Sequence, residues 1–506
     1  MLREGGMRVV MAACAVLALG TGVAAAERPS LSGPEYTFVS DQGWFRVHWT
    51  DGGSDSTSQA YAEEVALVAD SSWAVQVDGL GFFAPPSDQG LGGDDLYDVY
   101  LVGLAGDNDG YVSTTGEPGD PATPNNDSAS HMVVDTGVDG TEERRCLVAG
   151  LFQLACQAAA DVHEATWLKG NCSVWAQEQV YPEDDCYITP EGDGSIVYPW
   201  LSLPESAGMG GAFSWAWFME GRLGPGAVVE VWERCAEVPG SNSWQACQDV
   251  FAAHGVDFAD GFMEYGMWRF LTYGYWVDGW GFCGDAQYWE PGPSILDQHL
   301  IGSLPDSANW SGSDETDPES WGLNWIRVDL AAYQDGWVEM DFDGGDGRQW
   351  CLGVIMYSAD ACQFYSHDVP QPSGELSVSV EAGGWDYAVF FPAQVADGSM
   401  QGAFQSSISY STGTGEGETF NGPELELAGN PLRASSRALL EMPAPGPVDL
   451  AVYDLAGRRM AELLDGEICA GTHSLPLGGL DLPPGTYALV LTSETGVSMR
   501  KAVVAP

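Results

Sequence analysis

Apolar and polar positions fall into three textures along the chain. From Pro34 to about Leu104, "WFRVHWT" (44–50) and "DLYDVYLVGL" (95–104) alternate in the manner of strands. Between them, "AYAEEVALVADSSWAVQV" (60–77) repeats its apolar residues every three or four positions, which predicts a helix. Residues 106–130, rich in Gly, Pro, Asn and Asp, read as a long loop, and "HMVVDT" (131–136) as an edge strand. Helical spacing then predicts helices over 143–160, 164–180, 208–222, 226–237, 243–253 and 259–272. The first block is therefore α+β.

After Pro305 the pattern becomes short alternating strands: "NWIRVDLA", "GWVEMDFDGG", "QWCLGVIMYS", "GELSVSVEAGG" and "DYAVFFPAQ". This predicts a β-sandwich over 305–425. The Gly/Thr/Ser-rich "YSTGTGEGETFNG" reads as a linker to a second compact β module, residues 428–506. At the other end, Arg3 and Arg8 precede an apolar run from Val9 to Val23 and small residues near Ala26, the pattern of a secretory signal over 1–26. No later stretch reaches the roughly 20 apolar residues of a membrane span. The mature chain is expected to be secreted or held at the outer cell surface, with no transmembrane span.

Charge narrows the partners. Seventy-three Asp and Glu against 18 Lys and Arg give a formal net charge of -55, so no basic patch is available to neutralise phosphates and nucleic acid is excluded as a partner. Of the 11 cysteines, Cys14 lies in the signal, which leaves an even number for an oxidising compartment. Cys351/Cys362, Cys235/Cys247 and Cys172/Cys186 are spaced as candidate disulfides. No C-x-x-C pair points to a zinc ribbon.

"FRVHWTDGG", "APPSDQGLGGDDLYDVYLVGL", the segment 147–159, "EATWLKGNCSVWAQEQVYPEDD" and "YGMWRFLTYGYWVDG" occur in one order. In these stretches the chain resembles secreted bacterial zinc metallopeptidases of the gluzincin kind. The resemblance implies a zincin-like peptidase-type domain over 27–304. Such enzymes carry H-E-x-x-H on a helix, with the two His four apart as ligands, the Glu as base, and a Glu from a following helix as third ligand. By that resemblance the first His falls on Gly150, the base on Leu151, the second His on Leu154 and the third ligand on Gly170, beside Lys169. Every one of these is a residue that cannot ligate zinc. Zinc is expected to be absent, with Leu151 and Leu154 as an apolar pair filling the hollow.

Other candidates are weaker. "HEAT" (163–166) is half a zinc motif in an expected surface turn. Glu178, Asp161 and Glu164 are expected to face solvent, and His48, His254, His299, His367 and His473 are scattered. "GDNDG" (106–110) and "DFDGGDG" (341–347) offer carboxylates to calcium but read better as hydrated turns. Cys156 lies mid-helix among apolar residues, "GMGGAFSW" (208–215) is no nucleophile elbow, and the many Trp read as core filling.

Asn430-Pro431, "VYDLAGR" (452–458), "PPGTYALVL" (483–491) and Lys501 are similar, in kind and order, to the C-terminal sorting domain of the type IX (Por) secretion system. This resemblance implies an Ig-like β-sandwich read by outer-membrane secretion machinery. Together these readings predict a metallopeptidase-like pseudoenzyme that binds a peptide or protein or acts as a scaffold. An active secreted hydrolase with non-standard ligands and a surface adhesion module are the alternatives.

Overall fold

The computed structural model describes residues 28–505 except 107, 119–125, 185–193, 204–212, 239, 241, 277–280, 283–285, 287–288, 290–297, 311–315, 346, 359–360, 397–401, 413–417, 420–421, 434–435, 443–445, 455–457, 470, 481 and 494–495. The expected leader, 1–26, lies outside the described residues. The fold is mixed α+β with sandwich-like sheets. The chain divides into two compact units, residues 1–190 with 210–256, and residues 191–209 with 257–506.

In the first unit, strands β1 (Tyr36–Val39), β2 (Phe45–Trp49), β3 (Tyr97–Val102), β4 (Gly110–Pro118) and β5 (Ser128–Asp135) form one sheet in the order β1-β2-β3-β5-β4. The central pairs β2/β3 and β3/β5 are parallel, and the outer strands run antiparallel to them. Two expectations are corrected here. "HMVVDT" lies in β5, an interior strand, and the edge is β4, cut from the segment read as a loop. Gly110 opens β4 because the position is crowded: a Cβ there would come 2.7 Å from Leu151 Cδ1 and 2.8 Å from Val133 O.

Helices α1 (Gln59–Trp73), α2 (Thr141–Ala160), α3 (Thr166–Val180), α4 (Ser214–Leu223), α5 (Ala227–Glu237) and α6 (Ser243–Ala253) complete this unit. Ser58 caps α1 by accepting from Tyr61 N at 3.1 Å, which satisfies one of the orphan amides of the first turn. From Cys146 to Ala160 every residue of α2 except Leu154 is buried, so α2 is a central helix rather than an amphipathic one. Phe152 joins α2 to the sheet through edge-on contacts with Phe45 and Tyr97. Trp175, Trp215 and Trp232 are fully buried.

The second unit holds α7 (Phe258–Phe270) and strands β6 (Gln298–Ile301), β7 (Asp306–Trp310), β8 (Trp325–Asp329), β9 (Trp337–Asp343), β10 (Trp350–Ser358), β11 (Ala361–Asp368), β12 (Glu375–Glu381), β13 (Tyr387–Gln394), β14 (Phe404–Ser411) and β15 (Glu418–Thr419). It continues with β16 (Glu424–Ala428), β17 (Arg437–Met442), β18 (Gly446–Tyr453), β19 (Arg459–Ile468), β20 (Gly471–Pro476), β21 (Gly485–Ser493) and β22 (Gly496–Val504). One nine-stranded sheet, β19-β18-β21-β22-β11-β10-β13-β8-β6, runs through it, with separate sheets β15-β12-β9-β14-β7 and β16-β17-β20. Alternation such as that in β9 buries Val338, Met340 and Phe342 in one core with Trp350 and Phe390. A second core gathers Leu425, Leu440, Val452, Leu489 and Leu491. The last strand links the two sets of strands: β22 pairs β21 along its whole length and β11 over Ala361–Phe364.

Among the described residues no helix is long and apolar enough to cross a membrane.

Candidate functional site

The four positions singled out by the peptidase resemblance lie where α2 meets α3, and they divide into two closed and two open. Gly150 is buried against α3: Ser173 Oγ donates to Gly150 O at 2.9 Å, and a Cβ on Gly150 would collide with Gln177 Nε2. Leu151 is fully buried and turns toward Gly110 at the sheet. Leu154 is half-buried, and Gly170 faces open space, with no atom within 4 Å of where its Cβ would stand.

The expectation of an apolar pair filling one hollow is therefore corrected. Leu151 packs on the sheet beside Gly110, while Leu154 is only half-buried. The group that fills the space over Gly150 is the amide of Gln177, which is 5% exposed. Lys169 Nζ donates to Val162 O at 2.7 Å and so fastens the α2–α3 turn.

Zinc does not fit these residues. Hydrogen and hydrocarbon stand at all four positions, and among the described residues no group of three His, Cys, Asp or Glu side chains is disposed to hold a metal. Amides take their place. Gln76 Nε2 donates to Ala149 O at 2.9 Å and Gln157 Nε2 to Lys169 O at 3.2 Å, while both amide atoms of the fully buried Gln153 have no hydrogen-bond partner among the described residues. Sequence reasoning passed over these glutamines, although two polar residues four apart within "FQLACQ" were a visible signal.

His163 is exposed in a turn. Its neighbours are another correction: Asp161 and Glu164 are 0% and 3% exposed rather than solvated. Asp161 accepts from His163 N (2.7 Å) and Gly240 N (2.9 Å), and Glu164 from Asn242 N (3.1 Å) and Ser243 N (2.9 Å) at the start of α6. Burial raises the Glu164 carboxyl above the usual range, against the pull of those amides. Both side chains are structural caps. Glu178 is half-buried at the end of α3.

The other face of the sheet carries a cluster that the sequence reading left scattered. Alternation in β2 and β3 puts His48, Asp98 and Tyr100 together, all at most 3% exposed. His48 Nδ1 lies 2.6 Å from Glu35 Oε1 and Nε2 lies 2.8 Å from Asp98 Oδ1, while Tyr100 stacks on the imidazole at 4.2 Å. Arg28 pairs with Asp88 and lies 3.5 Å from Asp98 Oδ2. Nearby, His131 Nδ1 has no hydrogen-bond partner among the described residues, and burial, aided by the Arg28 charge, drives its pKa down to about 3. Both ring nitrogens of His48 are thus engaged by carboxylates within the protein. The cluster clamps the segment before β1 onto the sheet.

Of the remaining histidines, His254 pairs with Glu230 at 2.7 Å and His473 Nε2 lies 2.6 Å from Cys469 O. His299 and His367 are half-buried on β6 and β11. In the acidic loops, Asp341 accepts from Ser377 (2.5 Å) and Ser407 (3.3 Å), and Asp343 caps Gly345 N at 2.9 Å. Asp107 and Asp346 lie outside the described residues.

The proposed Cys351/Cys362 pair is also corrected. In the β10/β11 hairpin Cys351 stands opposite Asp368 and Cys362 opposite Tyr357, so six residues of strand separate the two thiols, beyond the ~7 Å Cα reach of a disulfide. Cys172, Cys235 and Cys247 are buried free thiols, as is Cys156, and Cys186 lies outside the described residues. Cys146 is the described cysteine engaged in a disulfide.

No family model and no curated protein matches the chain. Among solved structures it is similar to tripeptidyl peptidase 2 (8% identity, TM-score 0.18, covering 41% of this chain and 31% of that one). It is also similar to the glycoside hydrolase domain of Endo-D from Streptococcus pneumoniae R6 (13%, TM-score 0.13, 39% and 32%) and to a β-glucuronidase from Ruminococcus gnavus (10%, TM-score 0.13, 38% and 36%). The chain spans about a third of the length of each, and likeness at this level assigns no activity.

Proposed function

We propose that the chain is an exported, zincin-like protein that has given up metal chemistry and works by binding a peptide or protein. The observation that carries this reading is the contact between Gly150 and Gln177: the place from which a first zinc ligand would project is filled by a neutral amide of the neighbouring helix. Leu151 supports it, since a general base at this fully buried position would have to sit against Gly110 of the sheet.

Binding rather than chemistry follows from what remains. Strand β4 ends the sheet, with no partner strand on its outer side among the described residues, and an unpaired strand edge adds an extended peptide through main-chain hydrogen bonds. The C-terminal module, in this reading, carries the export signal.

The test is elemental analysis of the purified mature chain together with a general peptide-cleavage assay, with and without chelator. Zinc far below one per chain and no chelator-sensitive cleavage are expected. Stoichiometric zinc with chelator-sensitive cleavage overturns the proposal.

A further inference from the structure

Away from the α2–α3 contact, the first unit holds a cavity of about 200 Å³. Trp44, just before β2, and Trp73, the last residue of α1, stack at 5.3 Å with 16° between their planes and form its wall. Its floor is a hydroxyl pair, Tyr97 Oη and Ser130 Oγ, 3.0 Å apart, on residues 7% and 3% exposed. Asp88 and Asp95 also line it.

These groups ask for one kind of ligand. Whichever hydroxyl donates in the Tyr97–Ser130 pair, oxygen lone pairs remain to accept from a guest. The Asp88 carboxylate is matched by Arg28, whereas Asp95 accepts the Ser87 hydroxyl, at 2.9 Å, and forms no ion pair among the described residues. A neutral guest would strip water from that carboxylate without replacing it, and an anion would be repelled by it and by a chain of net charge -55. An alkylammonium group suits all three surfaces: its apolar stem lies against the indoles, its charge is attracted by Asp95, and its N–H bonds meet the hydroxyls.

We propose that this cavity binds an alkylammonium group, supplied by a lysine side chain of a peptide or by a free alkylamine. The inference does not depend on the metal-free reading of the α2–α3 contact.

Calorimetric titration of the full mature chain tests it, with Nα-acetyl-lysine amide, n-butylammonium and the uncharged Nα-acetyl-norleucine amide as probes. Saturable binding of an ammonium probe, weakened by salt and about tenfold tighter than norleucine amide, is expected. Asp95→Asn should lower that affinity about tenfold with an unchanged unfolding midpoint, since Asp95 is exposed, while Asp249→Asn, an exposed carboxylate on α6, changes nothing. Comparable binding of butylammonium assigns the site to free amines, and binding of the lysine amide alone assigns it to peptides. Absence of saturable ammonium binding, equal affinity for norleucine amide, or no difference between the two variants overturns the proposal.

Discussion

Gly150 on α2 and Gln177 on α3 meet so closely that a single added methyl on Gly150 would strike the Gln177 amide nitrogen and stand 3.0 Å from Ser173 Oγ. Glycine in mid-helix normally costs about 1 kcal/mol relative to alanine, so the close approach of α3 is what retains it here.

A double-mutant cycle measures this. Gly150→Ala in the native background should yield no net gain, or lose about 1 kcal/mol, because the helix-propensity gain is offset by overpacking. Relative to Gln177→Ala alone, adding Gly150→Ala should stabilise by about 1 kcal/mol. Urea unfolding gives all four corners, and additive effects would mean that the two residues do not touch.

Leu151→Glu, which reinstates an acidic residue at the expected base position, should destabilise by about 3 kcal/mol or more. The side chain is fully buried against the sheet, and a carboxylate there has no partner. The measurement is the unfolding midpoint at neutral pH; a midpoint within a degree of the parent would refute the packing described for Leu151.

His131 sets an acid dependence. Its folded pKa, about 3, lies below its ordinary 6.5, so the unfolded chain takes up a proton first as pH falls. The histidine's contribution is fully present above about pH 6.5 and is lost down to about pH 3, at up to ~1.4 kcal/mol per unit. Unfolding free energies at pH 7, 5.5 and 4.5 should fall less steeply in His131→Gln than in the parent, and parallel slopes would sink the assignment.

Thiol labelling tests the cysteine arrangement. Cys156, Cys172, Cys235, Cys247, Cys351 and Cys362 are buried, and burial pushes their thiols upward, that of Cys172 to about 12. Cys469 is exposed. Iodoacetamide on the native chain should label Cys469 among these seven, and denaturant without reductant should release the other six. Peptide mapping that finds any of the six blocked until reduction would contradict their assignment as thiols.

Local pattern carried most of the elements. The helical spacing around "AGLFQLACQAA" and the alternation of "GWVEMDFDGG" are decided by burial of nearby residues, and α2 and β9 stand where that pattern puts them. Strand β4 was hidden because its glycines and its proline are turn residues by composition; it is a strand through pairing with β5, a tertiary cause. Asp161 and Glu164 were misread because the amides they cap, on Gly240, Asn242 and Ser243, lie almost 80 residues further on. The clustering of His48, Asp98 and Glu35 likewise needs the parallel register of β2 and β3, which brings Phe45 level with Tyr97 and no periodicity encodes.

The position of β22 between β21 and β11, antiparallel to both, has a mechanical consequence. A pull on the chain's final residues acts along the axis of that strand, so its bonds to the two neighbours are loaded together in shear rather than unzipped one by one. Tension entering there is shared at once between both β-sandwiches, which would make this strand the element that bears load were the protein tethered by its end.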